Sequence, residues 1–372
     1  MTNLSTITPG GLVLDSLAWV PTSYIQQVGV RIGGAPVIGG EPQLRSVDDF
    51  DVYQAVKCII NGGDFRGTAY FNRACKDLAA GKLVHHDSKT PKQIVDTEKR
   101  LINRLMNIMS YRGYQSGLGK DPLDEVGVYI DADGHLIKDF GGVHRFSVAK
   151  VNCLPRVLVS VRYRDPKWIE YLDYLQGFAS SAVVGLYEQV PHPDLNRIKC
   201  VNQPMARAQK LIDMAGFGLE TMVDIGANYG QMCHAFESAG YQCTAVENNP
   251  EIGSVLAKFK AALYCNFDIV TTSALDLPEI KADVVVAMSI FRHLVRQVGM
   301  AGFDAWLGKI DCKVLFMSMP RWPEDTKYRL KEWPGSDLDF AEHVAQKLEM
   351  RIHAEFEDGC AGRTRRGFVL RK

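Results

Sequence analysis

Two acids and a short glycine turn carry the chemistry written most plainly in this chain. Residues 222–230 run Met-Val-Asp-Ile-Gly-Ala-Asn-Tyr-Gly, so an apolar, β-branched stretch reaches Asp224 and then turns between Gly226 and Gly230. An amphipathic helix follows, and a second apolar stretch ends at Glu247-Asn248. A strand, turn, helix and strand in that order form a unit suited to a nucleoside. Turns that hold a dinucleotide pyrophosphate use G-x-G-x-x-G, which lets the backbone approach the phosphates. Here only two of the three glycine positions are filled, and Asp224 would set a negative charge against a pyrophosphate. An acid at that point suits a cationic ligand instead, and Glu247 suits a ribose diol.

Two further stretches have residues of the right type. Gly141-Gly142-Val143-His144-Arg145 leads into the helical Phe146–Lys150. Glycines permit a tight strand-to-helix turn, the free N–H groups of a helix start attract anions, and His144 and Arg145 add side-chain donors. The other is Ser289-Ile290-Phe291-Arg292-His293-Leu294, just after the apolar run Ala282–Met288. Ligands of open α/β sheets lie beyond the carboxyl ends of the strands, near the switch in strand order. Acceptor chemistry is therefore expected near Met288–His293. His293 is a reasonable general base, with an ordinary pKa of about 6.5. The plainer alternative is that it caps or packs a helix.

The stretch Asp224–Gly230 resembles the D-x-G-x-x-x-G signature of the class I, Rossmann-like S-adenosylmethionine-dependent methyltransferases. The resemblance implies an α/β fold, with a doubly wound, mostly parallel sheet that ends in an antiparallel hairpin. It implies S-adenosylmethionine as cofactor, its amino end near Asp224 and its ribose near Glu247. Gly226, Asn228, Gly230, Asn248 and Met288 complete that set. The loop Thr272–Pro278 would face the adenine, with Ser273 or Asp276 accepting its amino group. Ser289–Leu294 is similar to the S-x-x-x-H-L segment of members that act on small molecules or glycans. No N-P-P-Y-like tetrad follows the fourth strand, which counts against methylation of base or amide nitrogen. Pro320-Arg321-Trp322-Pro323 lacks both the preceding Asn and the aromatic fourth position. Arg321, Arg363, Arg365 and Arg366 could line an anionic acceptor, although surface arginines usually do not.

Residues 100–170 look like the ParB/sulfiredoxin superfamily, which carries G-x-x-R or G-G-C-H-R at such a helix start. That resemblance implies a smaller α+β domain binding a nucleotide, ATP with Mg2+, through Gly141, Gly142, His144 and Arg145. Val143 stands where sulfiredoxins have cysteine, so thiol chemistry is not available. Glu125 or Asp139 could act as a base. The alternative is a tight turn in which Arg145 pairs with a carboxylate.

These residues need elements to hold them. At 372 residues the chain suits two domains. From Asp48 the apolar spacing predicts a helix stopped by Asn61-Gly62-Gly63, then helices over Tyr70–Ala80 and Pro91–Met109. The last should bury Ile94, Leu101, Leu105 and Ile108. His85-His86 reads as a solvated loop pair rather than metal ligands. A helix over Ile169–Tyr187 and the Pro191-His192-Pro193 piece lead to another helix over Met205–Met214. Strands and helices then alternate to the end. The expected division is 1–170 as the ParB/sulfiredoxin-like domain, 171–215 as a helical linker or lid, and 216–372 as the methyltransferase domain.

Composition narrows the class. Lys+Arg and Asp+Glu both number 43, so no global positive field recruits nucleic acid or an anionic membrane. The nine cysteines are scattered without a C-x-x-C pair or zinc spacing, which points to reduced thiols in the cytoplasm and no metal site. No apolar run nears the ~20 residues that span a bilayer. The reading is O-methylation of a small-molecule or saccharide acceptor, a phosphorylated glycan included. One alternative is a bifunctional kinase-methyltransferase that uses ATP in its N-terminal half. Another is a nucleotide-sensing binding protein on a methyltransferase-like scaffold. Oligomeric state is not readable.

Overall fold

The computed structural model describes residues 5–9, 13–15, 17–30, 43–82, 87–114, 125–139, 141–181, 186–188, 190, 192–198, 200–202, 205–319, 333, 335–360 and 363–372. His85-His86 and Pro320–Pro323 lie outside them. The chain forms two compact units, Met1–Tyr174 with Pro191–Arg197, and Leu175–Val190 with Ile198–Lys372.

The first unit is an α+β body. Its strands and helices are β1 (Ser5–Ile7), β2 (Val13–Asp15), β3 (Leu17–Pro21), β4 (Gln27–Val30), β5 (Gln43–Ser46), α1 (Asp51–Ile60), α2 (Ala69–Ala79) and α3 (Pro91–Arg112). β6 (Val126–Ile130), β7 (Leu136–Lys138), α4 (Val143–Val151), β8 (Arg156–Arg164) and the start of α5 (Pro166–Ser181) follow. A mixed six-stranded sheet runs β3-β8-β6-β7-β4-β5. Thr90 caps α3 by accepting from the Gln93 N–H, and Pro91 occupies its first turn, where a missing N–H costs nothing. The buried face of α3 is Ile94, Glu98, Ile102, Leu105 and Met109. Ile102 and Met109 thus replace Leu101 and Ile108, which are half-buried. Glu98 sets that rotation, because its carboxylate accepts from the Tyr70 hydroxyl at 2.6 Å and lies 3.0 Å from His144 Nε2.

A second buried network ties a later segment into the same unit. Asp194 is fully buried and accepts from Arg164 Nη2 at 2.8 Å, Arg164 Nε at 3.0 and 3.1 Å, and Trp168 Nε1 at 3.0 Å. His192 accepts the Asp194 N–H at Nδ1 (3.2 Å), and its Nε2 lies 2.9 Å from the Gly134 carbonyl. Burial pulls the His192 imidazole down to about 4, so it stays neutral.

The second unit is an α/β body built on one seven-stranded sheet. It begins with β9 (Leu186–Glu188), β10 (Cys200–Asn202), α6 (Met205–Ala215), β11 (Thr221–Ile225), α7 (Gln231–Ser238), β12 (Gln242–Val246), α8 (Pro250–Ala262) and β13 (Asp268–Val270). β14 (Ile280–Lys281), β15 (Val284–Met288), α9 (Phe291–Leu307), β16 (Ile310–Asp311), β17 (Val314–Met319), α10 (Asp337–Lys347), β18 (Arg351–Cys360) and β19 (Arg363–Arg371) complete it. The helix expected over Ile169–Tyr187 stops at Ser181, and Leu186–Glu188 is instead a strand paired in parallel with Cys200–Asn202. The segment expected as a helical linker or lid therefore contains a small parallel ladder.

The sheet order is β13-β12-β11-β15-β17-β19-β18. The first five strands are parallel, and β19 runs antiparallel to both β17 and β18. This is the doubly wound sheet with a terminal antiparallel hairpin that the methyltransferase resemblance implied. Strand order reverses between β11 and β15. Helices cover both faces, so central strands read as unbroken apolar runs. In β15, Val284 and Val286 enter the core with Phe236 and Phe316, while Val285 and Ala287 enter the other with Phe291 and Trp306. Among the described residues no helix is long and apolar enough to cross a membrane.

Rings hold the helices of the site in place. Phe291, Phe303 and Phe340 stack or meet edge-on with centroids 5.3 and 5.7 Å apart, joining α9 to α10. Trp306 lies 5.8 Å from Phe291, and its indole N–H donates to the Ala274 carbonyl at 2.8 Å. Lys309 Nζ donates to the Leu275 and Leu277 carbonyls at 2.9 Å each. The loop after β13 is thus pinned from α9 and from Lys309 just beyond it. Trp306→Phe should lower the unfolding free energy by about 2 kcal/mol, through the orphaned carbonyl and the lost ring volume, as read by urea denaturation.

Candidate active site

The glycine turn sits at the switch point of the sheet, and its own hydrogen bonds say what it can hold. The Gly226 and Ala227 N–H groups donate to the Val246 carbonyl at 2.8 and 3.0 Å, and the Gly230 N–H to the Ala227 carbonyl at 2.8 Å. The Asn228 N–H donates to Glu247 Oε2 and the Tyr229 N–H to Asn228 Oδ1, both at 2.9 Å. Every backbone N–H from Gly226 to Gly230 is therefore spent inside the protein. A turn that cradles pyrophosphate leaves such groups free; this one does not.

The left-handed backbone of the turn explains its residue types. Gly226, Asn228 and Gly230 have φ of 75°, 51° and 77°. Asn tolerates that region better than most residues, and the two glycines meet no steric penalty there. A Cβ on Gly230 would also lie 2.5 Å from Leu256 Cδ1.

Glu247 is buried, and its second oxygen, Oε1, accepts from the Asn249 N–H at 2.9 Å. Each carboxylate oxygen keeps further lone-pair capacity for a hydroxyl. Asp224, also buried, lies in register with Ala245 of β12 and Val286 of β15. Two carboxylates thus bracket a turn without free donors.

Beyond the carboxyl ends of these strands lies a cavity of about 250 Å3, near the lower end of small-ligand sites. Ile225 and Gly226 from β11 and its turn, Val246 and Asn248 from β12, and Thr272–Ala274 form its walls. Ile290, His293, Leu294 and Gln297 close it from the α9 side. Four of the expected residues, Gly226, Asn248, Ser273 and His293, therefore share one cavity. Ser273 also accepts the Leu275 N–H at 3.3 Å. Asp276 is exposed and outside that wall, so of the two residues expected to meet an adenine only Ser273 lines the cavity. Met288 ends β15, and neither it nor Asp224, Asn228, Gly230 or Glu247 is part of the wall. Ile290, Leu294 and Gln297 had not been singled out; they fall three or four residues apart with His293, the spacing of one helical face.

His293 sits at the rim. Desolvation by the cavity wall lowers its imidazole below the ordinary value, and the charges of Arg292, Arg296 and Arg365 lower it further. Both effects favour the neutral ring over the charged one.

The glycine turn of the first unit is built differently. Gly142 starts α4 at φ 60°, and a Cβ there would lie 2.8 Å from Val126 Cα, so the turn packs directly on β6. Arg145 Nη1 donates to Glu125 Oε2 at 2.8 Å, and Glu125 also accepts from the Tyr114 hydroxyl at 2.9 Å. His144 pairs with Glu98. Lys138, fully buried, donates to the carbonyls of Gly127 (3.3 Å), Asp139 and Gly141 (2.7 Å). Arg145 thus forms the carboxylate pair left open as the alternative. Asp139 lies 3.9 Å from Arg162. Among the described residues no cluster of three His, Cys, Asp or Glu side chains could hold a metal.

No protein-family model and no curated protein matches the chain. Parts of it are similar to solved structures. Magnesium protoporphyrin IX methyltransferase from Synechocystis PCC 6803, with bound S-adenosylmethionine, shares 13% identity over 45% of this chain and 76% of that one, with a TM-score of 0.35. The methyltransferase domain of a bacterial Hen1 gives 13%, 45% and 97%, with a TM-score of 0.36. WbdD gives 14%, 53% and 46%, with a TM-score of 0.38.

Proposed function

We propose that the second unit binds S-adenosylmethionine and methylates a hydroxyl of a small-molecule or saccharide acceptor. One observation carries the reading. The glycine turn at the switch point has no free backbone N–H and is bracketed by two buried carboxylates. Such a turn disfavours pyrophosphate and suits a nucleoside whose far end is cationic. Asp224 would face the ammonium, Glu247 the ribose diol and Ser273 the adenine, with Gly226 and Asn248 shaping the wall between them. S-Adenosylmethionine supplies an electrophilic methyl carbon, whose bond to sulfur breaks with the electron pair left on sulfur as the acceptor oxygen bonds to carbon. Alignment of donor and acceptor carries most of such a rate. The protein contributes a rigid wall and a base.

In this reading His293 takes the acceptor's hydroxyl proton on its free ring nitrogen. Because Arg292, Arg296 and Arg365 and the cavity wall all lower its pKa, the neutral form persists to lower pH than for a free histidine. The acid limb of kcat/KM should therefore fall below about 6.5, with activity lost as pH drops through it. His293→Gln should remove that limb and slow turnover by about 100-fold or more. An unchanged pH profile in the variant would show that His293 only packs the helix. The first unit is assigned no phosphoryl step, since His144 and Arg145 are committed to Glu98 and Glu125. Calorimetry with S-adenosylmethionine and its demethylated product tests the whole reading; absence of binding by both would overturn it.

A further inference from the structure

Three arginines, Arg292, Arg296 and Arg365, act on His293 at the cavity rim through their positive charge. Arg292 and Arg296 come from α9, on either side of His293, and Arg365 comes from β19. Carboxylates near these groups are already engaged. Arg366 is paired with Glu355 at 2.6 Å and lies 3.6 Å from Asp337. Asp358, directly across from Arg365 in the β18–β19 register, is buried and held by Arg207 at 2.7 Å. Among the described residues neither Arg296 nor Arg365 forms an ion pair with a carboxylate.

Arg365 donates instead to a hydroxyl. Its Nη1 reaches Ser289 Oγ, which lies 3.0 Å from Ser318 Oγ. Ser289 directly follows β15 with φ 64°, a left-handed conformation that a non-glycine residue adopts at a cost. Its N–H donates to the Ser318 carbonyl at 3.2 Å, which fixes that backbone. Two hydroxyls and a half-buried guanidinium are thereby gathered where β15 and β17 end, one turn of chain before His293.

We propose that the acceptor is an anion, its carboxylate or phosphate group held by Arg365 and Arg296 with the Ser289 hydroxyl, so that its reacting hydroxyl lies at His293. The assignment rests on the methyltransferase reading for the reaction, though not for the binding of the anion. A guanidinium presents a planar fork of donors that matches either group, and a hydroxyl adds a further donor. An anion there also compensates the positive charge that otherwise opposes protonation of His293, so binding the acceptor strengthens the base that activates it.

The test follows His293 by NMR in the full chain labelled with isotopic histidine, with and without the demethylated cofactor product. Inorganic phosphate is titrated in one arm and succinate in the other, at constant ionic strength. The expected result is a saturable rise of the His293 pKa by about one unit in at least one arm. Arg365→Gln should weaken the saturating anion by about tenfold, Arg365→Lys by less, and the exposed Arg296→Gln serves as a second variant in case the first perturbs the β19 hairpin. The arm that saturates identifies the group. A shift that does not saturate in either arm, or that is equal in wild type and both Gln variants, overturns the proposal. Cofactor-product binding is measured on the same samples by calorimetry, so loss of that signal alone counts against the methyltransferase reading and leaves the anion result standing.

Discussion

Asp224→Ala is expected to weaken S-adenosylmethionine binding by about 100-fold or more, an effect of about 3 kcal/mol. The turn beside Asp224 offers the ligand no backbone donor, because its five N–H groups close on the protein. In the proposed reading, recognition of a cationic end then falls to the carboxylate. Removing one partner of a buried charge pair leaves the other uncompensated, which is why the loss exceeds that of an ordinary hydrogen bond. Asp224→Asn separates charge from shape. If it bound the cofactor within about threefold of wild type, measured by calorimetry, the counter-charge role assigned to Asp224 would fail.

Asp194→Ala is expected to cost the first unit about 3–5 kcal/mol, the range for stranding a buried charge. Arg164 is nearly fully buried and Trp168 fully so, and both lose the Asp194 carboxylate in the variant. Urea denaturation followed by tryptophan fluorescence would read the loss directly, since Trp168 reports on that locus. Asp194→Asn should recover part of it, because the amide oxygen still accepts one bond. A loss below about 1 kcal/mol for Asp194→Ala would mean that water reaches Arg164 in its place.

What was legible in the sequence was local. The β11 turn and α7 follow from an apolar run, two glycines and a helical apolar face within about seventeen residues, and the structure keeps all of them. The terminal hairpin was expected from the methyltransferase resemblance rather than from local pattern. The α3 face was read one residue out of phase because Leu101 and Ile102, and again Ile108 and Met109, are apolar neighbours that fit either rotation. The choice is made by Glu98, a charged residue that periodicity would assign to solvent and that Tyr70 and His144 hold inside. Pairing between distant residues leaves no trace in spacing. The choice of Ser273 over Asp276 at the cavity wall, and the pairing of Arg145 with Glu125, likewise depend on contacts between elements far apart in the chain. At Arg365 the sequence showed one of several arginines; what distinguishes it is that Asp358 and Glu355 are taken by Arg207 and Arg366.

The network around Asp194 bears on how the protein can be made and cut. The first unit ends its main run at Tyr174, yet it is completed by Pro191–Arg197 after the chain has passed through the second. During synthesis Arg164 and Trp168 leave the ribosome some thirty residues before their acceptor does, so the first unit cannot close around them until then. A fragment ending near residue 174 would carry the guanidinium without the carboxylate and should be prone to aggregate, whereas one ending just past Arg197 keeps the pair. Cleavage at a single bond between Tyr174 and Pro191 leaves the Pro191–Arg197 strap with the Asp194 and His192 hydrogen bonds, and the two pieces should remain together until denaturant breaks that hold.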